Sequence, residues 1–161
     1  MIEHVYIGFG ANLGDRHANF ASVMRLLRGR ARVLRVANLV ESLPVDGVEG
    51  GTFLNTVIEC ERHGGPHDFM LMLQQIELEV GAVNDKLGGA RTCDLDILLW
   101  GESVIDLPDL RVPHPRMHLR DFYLVPLCEL ISAELHPVRG VSFAQLLADV
   151  DLHSVVGAPA V

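Results

Sequence analysis

The sequence predicts an α+β sandwich, in which helices pack on the faces of a β-sheet. Three features of the chain support this fold class. Strand-like segments with alternating polarity occur in pairs, segments with apolar residues at three- and four-residue spacing lie between them, and turns with glycine or proline separate the two kinds. Such strands and helices bury their apolar faces against one another, which favours helices layered on a sheet.

The first half of the chain predicts three strands and one helix. Val5, Ile7 and Phe9 alternate with less apolar neighbours, as in a half-buried strand. Asp15 is a residue type that caps helices, so we expect a helix to follow it. The other elements are a glycine-rich turn over residues 8–14, a helical apolar stripe of Phe20, Met24 and Leu27 that ends at Gly29, a strand over 31–40, a loop over 44–51 and a strand over 53–60.

The second half predicts three helices and one strand. A helix is expected to begin at Pro66, because the fixed φ angle of proline suits the first helical position. Ser142 followed by Gln145 forms a capping box for a last short helix. The remaining features are a helical stripe of Phe69, Leu73, Ile76 and Val80, a loop over 81–90, a strand over 92–100 and a helix over 120–131.

Length and charge limit the classes of function. The 161 residues fit one domain, since domains most often contain ~100–150 residues, and we expect one domain over residues 1–161. A net charge of -8 argues against a nucleic-acid partner, because phosphate binding takes clustered Lys and Arg. Arg111, Arg116 and Arg120 nevertheless lie close together, which favours a cationic pocket for a small phosphorylated ligand.

Neither export, nor a membrane span, nor a disulfide framework is indicated. Cys60, Cys93 and Cys128 are far apart and form no C-x-x-C pair. The first residues lack the basic and apolar regions of a secretory signal, and no apolar stretch approaches the ~20 residues needed to cross a bilayer. We therefore expect a cytoplasmic protein with reduced thiols and no membrane partner. For its assembly we expect a monomer or a weak dimer.

Two aspartates on a strand-like segment are the residues best suited to chemistry. Side chains alternate between the faces of a strand, so Asp94 and Asp96 are expected to share one face. Leu95, Ile97 and Leu99 are expected to point to the other face. The Cα atoms of the aspartates lie roughly 6–7 Å apart at a rise of ~3.3 Å per residue. Both carboxylates can therefore reach one or two magnesium ions, which proteins hold with one or two carboxylates and substrate phosphates.

The alternative is that both aspartates face water on an exposed side of the sheet. The Asp-x-Asp pattern does not separate these two interpretations. Arg91 lies three residues before Asp94, and a cation beside a metal-binding pair suits a triphosphate. This neighbour favours the metal site.

A proline-rich segment around His114 is a second candidate site. Pro113 and Pro115 restrict the backbone there, so the imidazole is expected to be held in position. Imidazole can donate a hydrogen bond to a phosphoryl oxygen, and Arg116 and Arg120 can form paired hydrogen bonds to phosphate. A surface histidine in a turn and a histidine metal ligand remain alternatives, although Pro115 disfavours the latter.

The glycine-rich segment over residues 8–14 invites a dinucleotide-binding interpretation. Leu13 occupies the place of the third glycine in the G-x-G-x-x-G pattern. A tight turn with a helix cap is therefore the favoured interpretation.

Phe53 and Asn55 open a strand with an aromatic ring and an amide. A flat heterocycle could stack on the ring and be recognised by the donor and acceptor of the amide. A core phenylalanine and an asparagine at the start of a strand are the alternative.

In this order, the segments resemble the 6-hydroxymethyl-7,8-dihydropterin pyrophosphokinase family of folate biosynthesis. The resemblance covers most of residues 5–130. It rests on YIGFGANLGD from Tyr6, FLN from Phe53, IE at Ile76, RTCDLDIL from Arg91, and VPHPRM from Val112 followed by Arg120 and Phe122. It implies a ferredoxin-like α/β sandwich with a mainly antiparallel central sheet.

The resemblance also implies a reaction and a site. The family transfers the β,γ-pyrophosphate of ATP to the hydroxymethyl oxygen of the pterin and releases AMP. It implies that Asp94 and Asp96 bind two magnesium ions, and that Arg91, His114 and Arg120 contact the triphosphate and complete the catalytic set. The nucleotide is further implied at Gln74, Glu77 and Ile97, and the pterin at Ser42, Val45, Phe53, Asn55 and Phe122.

One loop departs from the family pattern. It carries Ala82 and Asn84 at the places of two arginines, Gly89 near the place of an aromatic residue and Ala90 in place of a proline. A slower enzyme, a different pterin substrate and a loss of catalysis all fit this departure. Two alternatives to the pyrophosphokinase are therefore kept: a paralogue acting on another hydroxymethyl-pterin, and a non-catalytic protein that binds nucleotide and pterin.

Overall fold

The computed structural model describes residues 3–45, 47–81 and 91–158. In chain order its elements are β1 (His4–Ala11), α1 (Arg16–Arg28), β2 (Val33–Val36), β3 (Val40–Ser42), β4 (Phe53–Glu61), α2 (Pro66–Val80), β5 (Asp94–Trp100), β6 (Ile105–Leu107), β7 (Leu110–Val112), α3 (Asp121–Ile131), α4 (Phe143–Asp149) and β8 (Val155–Gly157). A single 3₁₀ turn, Met117–Leu119, precedes α3. Among the described residues, no helix is long and apolar enough to cross a membrane.

The central sheet has the strand order β5-β1-β4-β3-β8, and β2 also pairs with β4. Every strand pair in the described part of the chain is antiparallel, including the separate β6–β7 hairpin. The predicted antiparallel α+β sandwich is confirmed. The parallel βαβ unit that a dinucleotide-binding fold requires is not formed by these strands.

The sheet separates two apolar cores. On one side, α1 and α2 pack against Val5, Ile7 and Phe9, each of which is fully buried. On the other side, α3 and α4 pack against a cluster that includes Tyr6. The two-residue alternation predicted for β1 is thus confirmed, because successive side chains of a strand enter opposite layers. The expected half-buried strand is wrong, because both faces of β1 are covered and residues 5–11 are all buried.

Local capping signals give the helix starts where they were expected. The Asp15 carboxylate accepts a hydrogen bond from the Ala18 N–H at 3.0 Å at the start of α1. The Ser142 hydroxyl accepts one from the Gln145 N–H at 3.1 Å at the start of α4. Pro66 occupies the first position of α2. These contacts depend on neighbours in sequence, which is why the sequence predicts them well.

The single strand predicted over residues 31–40 is wrong, because β2 and β3 are separate strands on the same side of β4. Between β2 and β3, hydrogen bonds at Ala37 still join the chain to β4. The Thr56 hydroxyl donates to the Ala37 carbonyl at 2.8 Å, and the Ala37 N–H donates to the Val57 carbonyl at 3.0 Å. The predicted turn over residues 8–14 also starts too early, because β1 continues to Ala11.

The expectation that Leu99 shares a face with Leu95 and Ile97 is wrong, because β5 contains a bulge. The register with β1 shifts between Tyr6, which pairs with Leu99, and Ile7, which pairs with Ile97. Leu99 therefore joins the core of α3 and α4, whereas Ile97 stays with α1 and α2. Asp94 and Asp96 precede the bulge and keep a common side of the sheet. The short strands β6, β7 and β8 were not predicted, since three residues carry too little periodicity.

The first turn of α3 is fixed by the buried carboxylate of Asp121, which is 4% exposed. Its Oδ2 accepts hydrogen bonds from the N–H groups of Ser154 and Val155 at 2.6 and 2.9 Å. Its Oδ1 accepts one from the Ser154 hydroxyl at 2.5 Å. Because Val155 begins β8, which pairs with β3, Asp121 ties α3 to the sheet.

Replacing Asp121 with alanine should lower the free energy of unfolding by at least about 2 kcal/mol, because two buried donors and one partly buried donor lose a charged acceptor. Urea unfolding followed by circular dichroism measures this change. Asp149→Ala is the control, because this carboxylate accepts from the Gln145 side chain in an exposed setting and should cost about 0.5 kcal/mol or less. Equal losses in the two variants would contradict the anchoring role.

Candidate active site

Two concave pockets lie side by side on the sheet and share Asp94. The aromatic pocket, of about 200 Å³, is lined by Phe53, Phe122 and Tyr123 together with the other expected pterin residues, Ser42, Val45 and Asn55, and with Gly10, Leu43, Val48, Arg91, Asp94 and Arg120. The acidic pocket, of about 500 Å³, is lined by Glu77, Asp94, Asp96 and Asp109 together with Gln74, Ile97, Arg111 and His114 among others. The site residues implied by the family resemblance therefore line one of two adjoining pockets. Arg116, which the sequence suggested as a phosphate-binding residue, is exposed and lines neither pocket. The expected cationic pocket of Arg111, Arg116 and Arg120 is wrong, because Arg111 lines the acidic pocket and Arg120 the aromatic one.

In the aromatic pocket, the start of β4 provides a ring and a fixed amide. Asn55 is 2% exposed, and its side-chain N–H donates to the Ser42 hydroxyl at 2.6 Å. This contact leaves the amide oxygen Oδ1 as an acceptor. Gly10 pairs with Asn55, and a Cβ at Gly10 would lie 3.2 Å from Oδ1. The glycine therefore keeps the pocket open beside Phe53 and Asn55.

The start of α3 supplies the opposite wall. The Arg120 guanidinium lies 5.6 Å from the centre of the Phe122 ring and 5.8 Å from that of Tyr123. Guanidinium groups bind favourably over aromatic faces at such distances. Arg120 thus brings positive charge to the aromatic pocket beside Asp94.

In the acidic pocket, α2 fixes the edge strand that carries the aspartates. The Glu77 carboxylate accepts a hydrogen bond from the Leu95 N–H at 3.0 Å. Leu95 lies between Asp94 and Asp96 on β5, which is the last strand at its edge of the sheet. Glu77 therefore holds the backbone on which both aspartates sit.

Like charges crowd around Asp94. Burial, followed by the carboxylates of Asp96 and Glu77, raises the pKa of Asp94 to about 7, against the opposing effect of Arg91 and Arg120. A divalent cation would offset the free-energy cost of ionising Asp94, since it favours the ionised carboxylate. Within the described residues no group of three His, Cys, Asp or Glu side chains forms a complete metal cage. Two carboxylates that leave positions open for substrate oxygens are the donor set that magnesium uses with phosphates.

His114 faces the same carboxylate pair. Its Nδ1 accepts a hydrogen bond from the Arg116 N–H at 3.1 Å, so the neutral ring carries its proton on Nε2, which lies 3.9 Å from Asp96 Oδ2. Burial, together with Arg120 and Arg116, lowers the pKa of His114, although Asp96 opposes this effect. The ring is therefore a neutral donor near neutral pH, positioned as the flanking prolines predicted.

Two residues of the site were not singled out by the sequence. Tyr123 is buried, and its hydroxyl donates a hydrogen bond to Asp96 Oδ2 at 2.6 Å. Burial, with the charges of Asp96 and Asp94, raises the pKa of Tyr123 well above its ordinary value, so the hydroxyl keeps its proton. The sequence signal was its position next to Phe122, but an aromatic residue in a helix is usually read as core.

Asn12 is the other such residue. Its side-chain oxygen accepts a hydrogen bond from the Arg91 N–H at 2.7 Å, and its side-chain N–H₂ donates to the carbonyl groups of Glu49 and Gly51 at 3.0 and 3.3 Å. It therefore joins Arg91 to the loop that borders the aromatic pocket. The sequence assigned Asn12 to a tight turn, and only the tertiary structure brings these partners together.

Similarity to known proteins shows the family of this chain. The family model described as 7,8-dihydro-6-hydroxymethylpterin-pyrophosphokinase (HPPK) matches residues 6–132. The chain belongs to this family. The resemblance drawn from the sequence motifs is confirmed.

Curated relatives cover nearly the whole chain. It is 37% identical over 150 residues to the 2-amino-4-hydroxy-6-hydroxymethyldihydropteridine pyrophosphokinase of Pseudomonas aeruginosa, with 92% of both chains covered. It is 39% identical over 127 residues to the enzyme of the same name from Bacillus subtilis, covering 78% of this chain and 76% of the relative.

A solved structure shows the same fold. The chain superposes on Plasmodium falciparum HPPK-DHPS with a TM-score of 0.75 at 12% identity, covering 92% of this chain and 43% of the solved one. The expected ferredoxin-like HPPK fold is confirmed. The departures expected at Ala82, Asn84, Gly89 and Ala90 lie outside the described residues.

The pKa of Asp94 predicts a pH-dependent stability in metal-free protein. Below the ordinary aspartate pKa of ~4, Asp94 is protonated in both the folded and the unfolded chain. Its ionisation then has no effect on the free energy of unfolding. As pH rises toward 7, the unfolded chain loses this proton more readily, so the fold is destabilised. Asp94→Asn removes that effect and should raise Tm relative to the unsubstituted protein more at pH 8 than at pH 5.

Thermal unfolding in the presence of a chelator measures this difference. Asp149→Asn makes the same charge change at an exposed site and should show no comparable dependence on pH. A Tm difference for Asp94→Asn that is the same at both pH values would refute the raised pKa of Asp94.

Proposed function

We propose that this chain transfers the β,γ-pyrophosphoryl group of ATP to the hydroxymethyl oxygen of 6-hydroxymethyl-7,8-dihydropterin and releases AMP, a step of folate biosynthesis. Membership of the HPPK family supports the reaction. The observation that carries the proposal is that the aromatic pocket and the acidic pocket meet at Asp94. A pterin in one pocket and a nucleotide in the other would therefore meet at a carboxylate.

The transfer requires alignment and charge neutralisation more than covalent chemistry. The hydroxymethyl oxygen bonds to the β-phosphorus, the bond from that phosphorus to the α,β-bridging oxygen breaks, AMP departs with the bridging oxygen, and the hydroxyl proton is released to water. Holding two substrates in adjoining pockets converts the encounter into an intramolecular step. In this proposal the aromatic pocket and the acidic pocket supply this alignment, because they adjoin at Asp94.

In this proposal Asp94 and Asp96 would hold magnesium, two ions in number. Magnesium, when bound, supplies positive charge to the phosphate oxygens. Arg91 and Arg120 add positive charge from the side of the aromatic pocket. His114 donates its Nε2–H to a phosphoryl oxygen.

The nucleotide lies against Gln74, Glu77 and Ile97. One oxygen of Glu77 is already bonded to Leu95, so this side chain fixes β5 as well as bordering the nucleotide. The pterin stacks between Phe53 and Phe122, with Asn55 and Ser42 at its edge and Val45 beside it. A monomeric or weakly dimeric state and a cytoplasmic location stay predictions.

The proposal is tested by measuring AMP release from ATP with magnesium and the dihydropterin alcohol. The purified protein should release AMP only when all three are present. Asp96→Asn keeps the shape of the side chain but removes its charge, and should lower kcat by roughly 10²- to 10³-fold. Asp149→Asn, at an exposed position outside both pockets, should leave kcat unchanged within about twofold.

Full turnover by Asp96→Asn would defeat the metal assignment, provided that circular dichroism shows an intact fold. Binding of both ATP and pterin without AMP release by the unsubstituted protein would instead support the non-catalytic alternative. Release of AMP with a different hydroxymethyl-pterin only would support the paralogue.

Phe53→Ala should weaken pterin binding roughly 10-fold or more, because stacking on an aromatic ring is lost. The affinity for ATP should change by less than about twofold, since the ring lies in the other pocket. Pterin fluorescence and calorimetry with a non-hydrolysable ATP analogue measure the two affinities. Phe53→Tyr retains the ring and should keep most of the pterin affinity. Equal losses of pterin affinity and ATP affinity in Phe53→Ala would argue against placing the pterin on Phe53.

A further inference from the structure

Tyr123 contacts the proposed metal site from the α3–α4 side of the sheet. It lies on α3 and is 3% exposed, in the core that α3 and α4 form with the sheet. Its hydroxyl reaches Asp96 on β5, which is the edge strand on that side of the sheet. A side chain that only filled this core would have no need of a polar end at a half-buried carboxylate.

The backbone of β1 makes room for this contact. Gly8 pairs directly with Asp96 across the β1–β5 register. A Cβ at Gly8 would lie 2.5 Å from Cε1 of Tyr123, which is closer than carbon atoms approach. The aromatic ring therefore crosses over a glycine to reach the carboxylate on the next strand, and any other residue at position 8 would displace it.

The contact engages one defined oxygen of the carboxylate. Tyr123 donates to Oδ2 at 2.6 Å, and His114 Nε2 lies 3.9 Å from the same oxygen. The two rings meet edge to face at 5.8 Å. With Oδ2 held by the hydroxyl, rotation of the carboxylate is restricted, and Oδ1 and the remaining lone pair of Oδ2 are left for a cation.

We propose that Tyr123 is a positioning residue for Asp96, whose hydrogen bond holds that carboxylate in the orientation that binds a divalent cation. The inference rests on the proposed function, because it assumes that Asp96 is a metal ligand. Hydrogen-bonding partners that orient metal ligands contribute strongly to affinity, and their loss costs roughly 10- to 100-fold. Tyr123 also links the two pockets, because its ring lines the aromatic pocket and its hydroxyl bonds to Asp96 in the acidic pocket.

Tyr123→Phe is the test, because it keeps the ring over Gly8 and removes only the hydroxyl. Mn²⁺ serves as the probe, in the presence of α,β-methylene-ATP, with affinity measured by calorimetry and by the electron paramagnetic resonance of bound Mn²⁺. Tyr123→Phe should bind Mn²⁺ roughly 10-fold more weakly. In turnover it should need a correspondingly higher Mg²⁺ concentration for half-maximal rate, while pterin affinity stays within about twofold.

Tyr6→Phe is the matched control. Tyr6 is also buried in the α3–α4 core, at 5% exposure, but it pairs with Leu99 beyond the bulge and lines neither pocket. It should leave Mn²⁺ affinity unchanged. An equal loss of Mn²⁺ affinity in Tyr123→Phe and Tyr6→Phe would overturn the positioning role. Unchanged Mn²⁺ affinity in Tyr123→Phe would overturn it as well.

The metal measurement separates this inference from the proposed reaction, because it needs no turnover. If the unsubstituted protein binds Mn²⁺ and Tyr123→Phe binds it more weakly, the inference holds even where AMP release is absent, and only the proposed reaction fails. Failure of the unsubstituted protein to bind Mn²⁺ with the nucleotide analogue would overturn the inference as well as the metal assignment.

Discussion

The crowding of negative charge on β5 is the constraint around which the site is built. Asp94 and Asp96 share one side of an edge strand, and burial, followed by the charges of Asp96 and Glu77, raises the pKa of Asp94 to about 7. Side chains that repel in the folded chain need compensating positive charge. Arg91 and Arg120 provide part of it, and a bound cation would provide the rest.

Several elements converge to hold this arrangement. Glu77 on α2 fixes the backbone between the aspartates, and Tyr123 on α3 reaches one of them across Gly8. The start of α3 is itself fixed by Asp121 and the segment before β8. The first turn of α3 places Phe122 and Tyr123 in the aromatic pocket, and the Tyr123 hydroxyl also bonds to Asp96 in the acidic pocket. The position of this turn therefore couples the proposed pterin site to the proposed metal site.

Much of the fold could be predicted because its signals are local. The cap at Asp15, the proline at the start of α2 and the alternation of β1 each depend on residues within one turn or one strand. The facing of Leu99 could not be predicted, since the bulge in β5 depends on its pairing with β1. The division of residues 31–40 into two strands likewise depends on β4, which is distant in sequence.

The sequence by itself determined the fold class, the family and the Asp-x-Asp pair, because strand periodicity and motif spacing are properties of neighbouring residues. Only the tertiary structure decided that two pockets share Asp94, that Asn12 joins Arg91 to a distant loop, and that Tyr123 bonds to Asp96. These contacts join strands and helices far apart in the chain. Their geometry follows from sheet register and helix packing, which are set when the whole core assembles.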